Sequence, residues 1–262
     1  MVTELRPDPV LVASDVASGY GAALVVRGIG LQAGRGEVVT VVGPNGSGKS
    51  TLLKTLAGLV PVREGSLRHE GAEVKGLSAE ARARRGIAFV PQEREVFASL
   101  TVKENLLMGG YGLGRKQLRS ALERVYGTYE VLAQLEHRPA GRLSGGERKT
   151  VAMARVMMAS PTVVLLDEPT ANLAPIPSAQ LLEADVPAMA RTGVTVVLVE
   201  QRATQAIGVS DWVYVLVAGR VEVDGPAAEI AGRGDIGALF LGARAEAGAA
   251  GEPPAGQPAL QP

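Results

Sequence analysis

The run Gly43-Pro44-Asn45-Gly46-Ser47-Gly48-Lys49-Ser50 decides the fold of this chain, because it fits the pattern G-x-x-x-x-G-K-[S/T] of a phosphate-binding P-loop. Residues 37–42 before it are β-branched and apolar, which predicts a buried strand. Residues 51–57 after it predict a helix that ends at Gly58. The alternative is a chance glycine-rich turn, and the matching strand–loop–helix context argues against it.

The loop chemistry predicts that a nucleotide binds here. Glycines let backbone N–H groups turn inward around phosphates, and the helix N-terminus adds a partial positive charge. We expect Lys49 to reach the β- and γ-phosphates and the Ser50 hydroxyl to hold Mg²⁺. The residues predicted to contact the nucleotide are Gly43, Pro44, Asn45, Gly46, Ser47, Gly48, Lys49, Ser50 and Thr51.

Composition limits the class of protein. A chain of 262 residues that is 46% hydrophobic suits one large globular domain, or a domain with a subdomain. Basic and acidic residues number 27 each, which gives no electrostatic footprint for nucleic acid. The chain has no cysteine, and its sequence shows no signal pattern and no apolar run near the ~20 residues of a membrane span. We expect a cytoplasmic protein that meets a membrane only through a partner.

Strand and helix patterns alternate along the chain and predict an α/β fold. Strands are predicted over 10–16, 25–31, 87–90, 162–166 and 194–199, with hairpins over 65–74 and 211–223. Helices are predicted over 79–85, 101–108, 116–135, 144–159 and 177–192, with a kink or break at Pro187, and two short ones over 226–241. We divide the chain into a tail (1–9), a main domain (10–241) with a helical subdomain at about 93–160, and a disordered end (242–262).

Polar residues follow three of the predicted core strands. Gln92, the pair Asp167-Glu168, and Gln201 stand at carboxyl ends of strands, the edge where open α/β sheets bind ligands. Asp167 suits a Mg²⁺ ligand, and Glu168 is placed to orient or deprotonate an attacking water. The alternative is solvated loop residues. Tyr20, before the P-loop, is a candidate for stacking on a base, or else an ordinary strand-end tyrosine.

A second glycine motif, Leu143-Ser144-Gly145-Gly146-Glu147, opens a predicted helix. Its bland interpretation is a capping box, in which the Ser144 and Glu147 side chains bond to backbone N–H groups. A glycine-rich helix N-terminus is also a second anion site. A capping box alone is common in helices. The complete five-residue motif downstream of a P-loop is a much more specific functional signal.

These motifs, in this order, resemble those of ABC-type ATPases over about residues 10–241. The resemblance implies a P-loop NTPase core with an antiparallel β-subdomain and an inserted helical subdomain. It implies ATP and Mg²⁺ as cofactors, transmembrane permease subunits as partners, and a head-to-tail dimer with a second ATP-binding subunit, either a paralogue or a second copy. A monomer should then be nearly inactive.

The resemblance also implies roles for single residues. Tyr20 would stack on adenine, Gln92 would sense nucleotide and touch Mg²⁺, and the stretch around Gln92 would face the permease. Glu168 would be the catalytic carboxylate, and Gln201 would share the catalytic site, where most members of the family have His. The residues implied to contact the γ-phosphate on the opposite subunit are Ser144, Gly145, Gly146 and Glu147.

Finer features resemble the LivF-type ATPases of branched-chain amino acid importers, which also work with an extracytoplasmic substrate-binding protein. These features are residues 96–106, the triplet 173–175 and the triplet 199–201. Ala174 and Gln201 replace the Asp and His of most ABC proteins, as is usual for this type. The less usual residues are Ala171, Asn172 and Arg202, and Pro187 is unexpected. Rival functions are an ABC ATPase for urea, other amino acids or lipid export, and a soluble ABC protein acting on DNA or ribosomes. The last would need a heptad arm, a second cassette or a basic excess, and the sequence has none.

Overall fold

The computed structural model describes residues 8–93 and 95–234. The strands are β1 (Pro9–Tyr20), β2 (Ala23–Gly34), β3 (Val38–Val42), β4 (Val62–His69), β5 (Ala72–Glu73), β6 (Ile87–Val90), β7 (Val163–Asp167), β8 (Thr195–Glu200), β9 (Trp212–Val217) and β10 (Arg220–Pro226). The helices are α1 (Lys49–Ala57), α2 (Ala79–Arg84), α3 (Val102–Gly109), α4 (Arg115–Thr128), α5 (Glu130–Gln134), α6 (Gly145–Met157), α7 (Pro175–Gln180), α8 (Val186–Arg191), α9 (Ala203–Ile207) and α10 (Ala227–Ala231).

A six-stranded sheet in the order β10-β9-β3-β8-β7-β6 forms the core. All neighbouring pairs in it are parallel except β9 with β10. Every residue of β3, β7 and β8 is buried, as expected for parallel strands covered on both faces. The carboxyl ends of β3, β6, β7 and β8 therefore meet at one edge, which brings together the residues predicted to act there.

A second, four-stranded antiparallel sheet has the order β2-β1-β4-β5. Its buried residues share one hydrophobic cluster with α1 and β3. Arg82 of α2 is fully buried beside the end of α1, where its Nη1 donates to the carbonyls of Thr55 (2.7 Å) and Leu56 (2.9 Å). A cation at a helix C-terminus stabilises the last carbonyls, so Arg82 fixes the far end of the P-loop helix.

Helices α3 to α6 enclose a hydrophobic cluster of their own, which includes Leu106, Val125, Leu132 and Val151. The capping box predicted at Thr101 is present: its hydroxyl accepts a bond from the Glu104 N–H, and Glu104 accepts one from the Thr101 N–H. This part of the chain is helical as predicted. The boundaries of the helical subdomain stay a prediction.

The prediction of one helix over 116–135 is wrong. Helix α4 ends at Thr128 and α5 begins at Glu130, because Tyr129 has non-helical angles of φ −121° and ψ 70°. Gly127 and Thr128 are weak helix formers, so continuing the helix gains little there. The break lets the Tyr129 ring enter the helical cluster, where the residue is buried.

Pro187 does not break its helix. The helix starts earlier than predicted, at Pro175, and a π-helical turn over Leu181–Asp185 separates α7 from α8. A proline removes one N–H donor and clashes with the carbonyl four residues before it, and a wider turn immediately upstream relieves both problems. The predicted disturbance is therefore real, and it takes the form of a π-helical turn.

The end of the described chain is a short helix, α10, as predicted. The second helix predicted within 226–241, the disordered end at 242–262 and residues 1–7 of the predicted tail lie outside the described residues. No helix in the described ranges combines the length and apolar character that crossing a membrane requires.

Candidate nucleotide site

The P-loop has the backbone conformation that its glycines predict. Gly46 and Gly48 have φ values of 79° and 101°, in the left-handed region that favours glycine. A Cβ on Gly48 would lie 2.9 Å from Cγ1 of Val26, so a larger residue does not fit. Among the described residues no side chain caps α1 at Gly48, and the buried Ser47 hydroxyl has no hydrogen-bond partner. These free donors suit an anionic ligand.

Lys49 is buried and lies across the loop. Its Nζ donates to the carbonyls of Gly43 and Pro44, both at 2.9 Å. Burial lowers the pKa of Lys49, while the carboxylates of Glu168, Asp167 and Glu200 act in the opposite direction. The ammonium is therefore placed where phosphate oxygens could replace the two carbonyls as acceptors.

Ser50 and Asp167 form a pair of oxygen donors beside the loop. The Ser50 hydroxyl donates to Oδ1 of Asp167 at 2.8 Å. Burial raises the pKa of Asp167, and the bond from Ser50 and the charge of Lys54 lower it in part. A hydroxyl and a carboxylate side by side are the kind of oxygen ligands that Mg²⁺ takes next to phosphates, so the residues fit that ion.

Glu168 is held at both its backbone and its side chain. It follows β7 with a left-handed φ of 45°, which is uncommon for a residue with a side chain. Its N–H donates to the carbonyl of Val199 at 2.9 Å. Oε2 accepts one bond from Nε2 of Gln92 (3.0 Å) and another from Nε2 of Gln201 (2.8 Å). Two amides from two other strand ends thus fix one carboxylate oxygen.

Most of these groups line one cavity of about 340 Å³, whose described lining does not include Asp167. Its lining includes nine of the predicted site residues: Asn45, Gly46, Gly48, Lys49, Ser50, Thr51, Gln92, Glu168 and Gln201. Val25 of β2 also lines it and was not predicted, because an apolar residue in a strand carries no functional signal. The described lining does not include Tyr20, which is 53% exposed at the end of β1.

The motif at the start of α6 lies apart from this cavity, since none of its residues is among the described lining. Its capping box is formed: the Ser144 hydroxyl accepts from the Glu147 N–H at 3.3 Å, and Glu147 Oε2 accepts from the Ser144 N–H at 2.7 Å. A Cβ on Gly146 would lie 3.0 Å from Cβ of Pro177. The motif therefore packs beside the segment that follows Glu168.

Two further buried residues touch the predicted site residues. Glu200 accepts bonds at Oε1 from the N–H (2.9 Å) and hydroxyl (2.7 Å) of Thr170, and at Oε2 from the Gln201 N–H (3.2 Å). Lys149 of α6 donates from Nζ to the carbonyl of Gln92 at 2.8 Å. An acid at the end of an apolar strand gave a signal for Glu200, whereas nothing in the sequence singled out Lys149.

Comparisons with known proteins agree with this arrangement. The family model described as "ABC transporter" matches residues 26–171. The high-affinity branched-chain amino acid transport ATP-binding protein BraG of Pseudomonas aeruginosa is 39% identical over 227 residues, which cover 87% of this chain and 97% of BraG. The probable branched-chain amino acid transport ATP-binding protein LivF of Archaeoglobus fulgidus is 37% identical over 213 residues, covering 81% of this chain and 90% of LivF. The lipopolysaccharide export system ATP-binding protein LptB of Escherichia coli is 31% identical over 237 residues, covering 88% of this chain and 97% of LptB.

Solved structures show the same fold. The ADP conformation of MJ1267, an ATP-binding cassette of an ABC transporter, superposes with a TM-score of 0.81 at 24% identity, over 89% of this chain and 99% of that one. The structure of cbiO1 from Clostridium perfringens, part of the ABC transporter complex cbiONQ, gives a TM-score of 0.74 at 27% identity, over 85% of this chain and 90% of cbiO1. The predicted fold class is confirmed.

Proposed function

We propose, from the premise that this chain belongs to the ABC transporter family, that it is the ATP-hydrolysing subunit of an importer for branched-chain amino acids. As an ATP-binding cassette of that family the chain is an ATPase. The cargo is supported by BraG and LivF, whose identities of 39% and 37% exceed the 31% of E. coli LptB. The observation that carries the hydrolytic role is the convergence of Gln92 and Gln201 on Glu168 beside the P-loop.

The reaction is phosphoryl transfer to water, in which positioning and charge stabilisation do most of the work. The free N–H groups at the start of α1 would bind phosphate oxygens, and the Lys49 ammonium would meet the β- and γ-phosphates. Mg²⁺, held by Ser50 and Asp167 with Gln92 nearby, would neutralise charge on the phosphate oxygens when bound. The low-dielectric surroundings of Lys49 and Asp167 strengthen these interactions.

Glu168 would orient the attacking water and accept its proton. The residue is only 6% exposed, and its Oε2 is fixed by the two amides, so the carboxylate is held in one orientation beside the cavity. Because an amide N–H can donate to either a carboxylate or a phosphate oxygen, Gln201 can move from Glu168 to the γ-phosphate. This exchange would free the Glu168 oxygen when the substrate is in place.

The position of the α6 motif supports a dimer. Ser144 to Glu147 lie outside the described lining of the chain's own cavity, so they are available to the ATP of a second subunit. We propose a head-to-tail pair, with a paralogue or a second copy, in which each cavity is completed by the partner's α6. Tyr20 would lie against the adenine from the open side of the cavity.

A surface near Gln92 supports contact with the permease. Phe97 and Met108, each 47% exposed, border a second cavity of about 310 Å³ with Arg155, whose guanidinium lies 5.1 Å from the centre of the Phe97 ring. Contiguous exposed apolar groups mark interaction sites, and here both side chains border the same cavity. The permease would hold this chain on the inner face of the cell membrane, and an extracytoplasmic binding protein would deliver the amino acid.

The test is uptake by the complete transporter. The chain would be reconstituted in proteoliposomes with the permeases, second ATPase and binding protein of the proposed importer, with ATP on the side of this chain. We expect uptake of labelled leucine, isoleucine or valine, which Lys49→Ala abolishes and the exposed-site control Lys116→Ala leaves intact. If lipid stimulates ATP hydrolysis and these amino acids are not taken up, the cargo assignment would be overturned. If the wild-type complex does not hydrolyse ATP, the ATPase assignment would be overturned.

A further inference from the structure

Lys149 is a buried cation in the second turn of α6, five residues after Ser144 and two after Glu147. The residue is 3% exposed. Its Nζ donates to the backbone carbonyl of Gln92 at 2.8 Å and lies 3.9 Å from Oε2 of Glu95. One side chain of α6 therefore contacts the segment that follows β6, on which Gln92 is carried.

Gln92 is contacted at two ends. Its backbone carbonyl accepts the bond from Lys149, and its side-chain amide donates to Oε2 of Glu168 at 3.0 Å. Both bonds are made by the same residue, one at its backbone and one at its side chain. A shift of Lys149 along the axis of α6 would therefore move the backbone of Gln92, and with it the amide that holds Glu168.

Burying an ammonium is costly unless its surroundings compensate for the lost water. Burial lowers the pKa of Lys149, and the carboxylates of Glu95, Glu200 and Asp167 act in the opposite direction. The pair with Glu95, at 3.9 Å, is too long for a hydrogen bond, whereas the bond to the Gln92 carbonyl is short. The directional contact of this cation is thus the one with Gln92.

We propose that Lys149 is a positioning residue that keeps the Gln92 amide on Glu168, and that it couples the start of α6 to the catalytic carboxylate. A helix is stiff over one turn, so a displacement at Ser144 reaches Lys149 with little loss. Engagement of the α6 motif by ATP on the opposite subunit would then reposition Glu168 through residue 92. This inference rests on the proposed ATPase function and concerns how the α6 motif and the catalytic carboxylate Glu168 communicate.

A double-mutant cycle tests the proposal. Lys149→Met keeps an unbranched side chain of similar length and removes the donor. In the assembled transporter we expect it to lower kcat roughly 10- to 100-fold, the range for a catalytic group displaced by about 1 Å. The KM for ATP and the binding of a fluorescent ATP analogue should change less than about threefold, because the P-loop is intact. In a Gln92→Ala background the same change should cost less than about twofold, because the amide it positions is gone.

The matched control is Lys103→Met, which removes a lysine of α3 that pairs with Glu136 at 3.2 Å, away from the cavity. Its kcat should stay within about twofold of wild type. Thermal unfolding of each variant separates lost activity from lost fold, and Lys149→Leu replaces Lys149→Met if the latter does not fold. An equal loss of kcat in the wild-type and Gln92→Ala backgrounds would overturn the proposal, as would a loss of ATP-analogue binding. Absence of hydrolysis in the wild-type complex would instead count against the proposed function.

Discussion

The hydroxyl of Ser50 donates a 2.8 Å hydrogen bond to Oδ1 of Asp167, although the two residues are 117 positions apart in the chain. Ser50 is in the first turn of α1, and Asp167 is the last residue of β7. The parallel sheet brings the end of β7 to the same edge as the start of α1, so the two oxygens lie side by side next to the phosphate-binding loop. The pair defines where a divalent ion would be held, and it gives the first prediction.

Ser50→Ala should raise the Mg²⁺ concentration that gives half-maximal ATPase activity by roughly tenfold or more, because it removes one oxygen ligand and one bond to a carboxylate. Ser50→Thr keeps the hydroxyl and should stay close to wild type. The measurement is ATPase rate against Mg²⁺ at fixed ATP. An unchanged Mg²⁺ requirement in Ser50→Ala would remove this residue from the ion site.

Ser144→Arg should leave ATP binding by the isolated chain nearly unchanged, because the motif is not among the described lining of the chain's own cavity. In the complex it should block closure of the two subunits and hydrolysis, since a bulky cation would fill the space for the partner's ATP. Binding is measured on the isolated chain and ATPase rate on the transporter. A collapse of ATP affinity in the isolated chain would contradict the head-to-tail arrangement.

Glu168→Gln should bind MgATP, accumulate as a nucleotide-trapped dimer, and lower hydrolysis roughly 10²- to 10⁴-fold, the range for loss of a general base. The substitution keeps the shape of the side chain and removes its ability to accept a proton. Size-exclusion chromatography with MgATP reports the dimer, and phosphate release reports the rate. Full hydrolysis by this variant would exclude Glu168 from the catalytic role.

Gln201→Ala should lower kcat without a comparable trapped dimer, because it removes one N–H donor and leaves the base in place. Gln201→His should keep substantial activity, since an imidazole N–H can replace the amide. Both variants are assayed as for Glu168→Gln. An inactive Gln201→His that still binds ATP would show that the two side chains are not interchangeable in this protein.

Glu200→Gln should destabilise the fold more than it affects nucleotide binding. The carboxylate accepts three hydrogen bonds, from two donors of Thr170 and the N–H of Gln201, and an amide would turn an N–H toward one of these donors. Leaving one buried donor unsatisfied costs roughly 1–3 kcal/mol. At about 2–4 °C per kcal/mol for a domain of this size, Tm should fall by roughly 2–12 °C. Thermal unfolding checks this, with the exposed Glu222→Gln as the control that should not change.

Local patterns predicted the fold where one short segment determines its own structure. The glycines of the P-loop, the capping boxes at Thr101 and Ser144, and the apolar runs of β3, β7 and β8 act through contacts within a few residues, and the structure confirms each element. The order of the strands also brings Gln92, Glu168 and Gln201 together at one edge, as the strand ends indicated. Their chemical roles stay predictions.

Features that depend on distant contacts were not predictable from local patterns. The break at Tyr129 depends on the cluster that its ring enters, and the bond from Lys149 depends on how α6 packs against the chain after β6. Periodicity reports which face of a helix is apolar, but it does not report which partner a buried polar side chain meets. Val25 lines the cavity through the position of β2, which pattern alone does not give.

The order of strands in the core sheet also sets the order in which a nascent chain can complete it. Strand β3 lies between β8 and β9, so Val38 pairs with Val196 and Val39 with Trp212. At ribosomal rates of about 5–20 residues per second, this apolar strand waits roughly 10–30 s for its first neighbour. During that time its unpaired edges can pair with the wrong strand. A chain released before β8 is synthesised would lack both strands that flank β3 in the sheet.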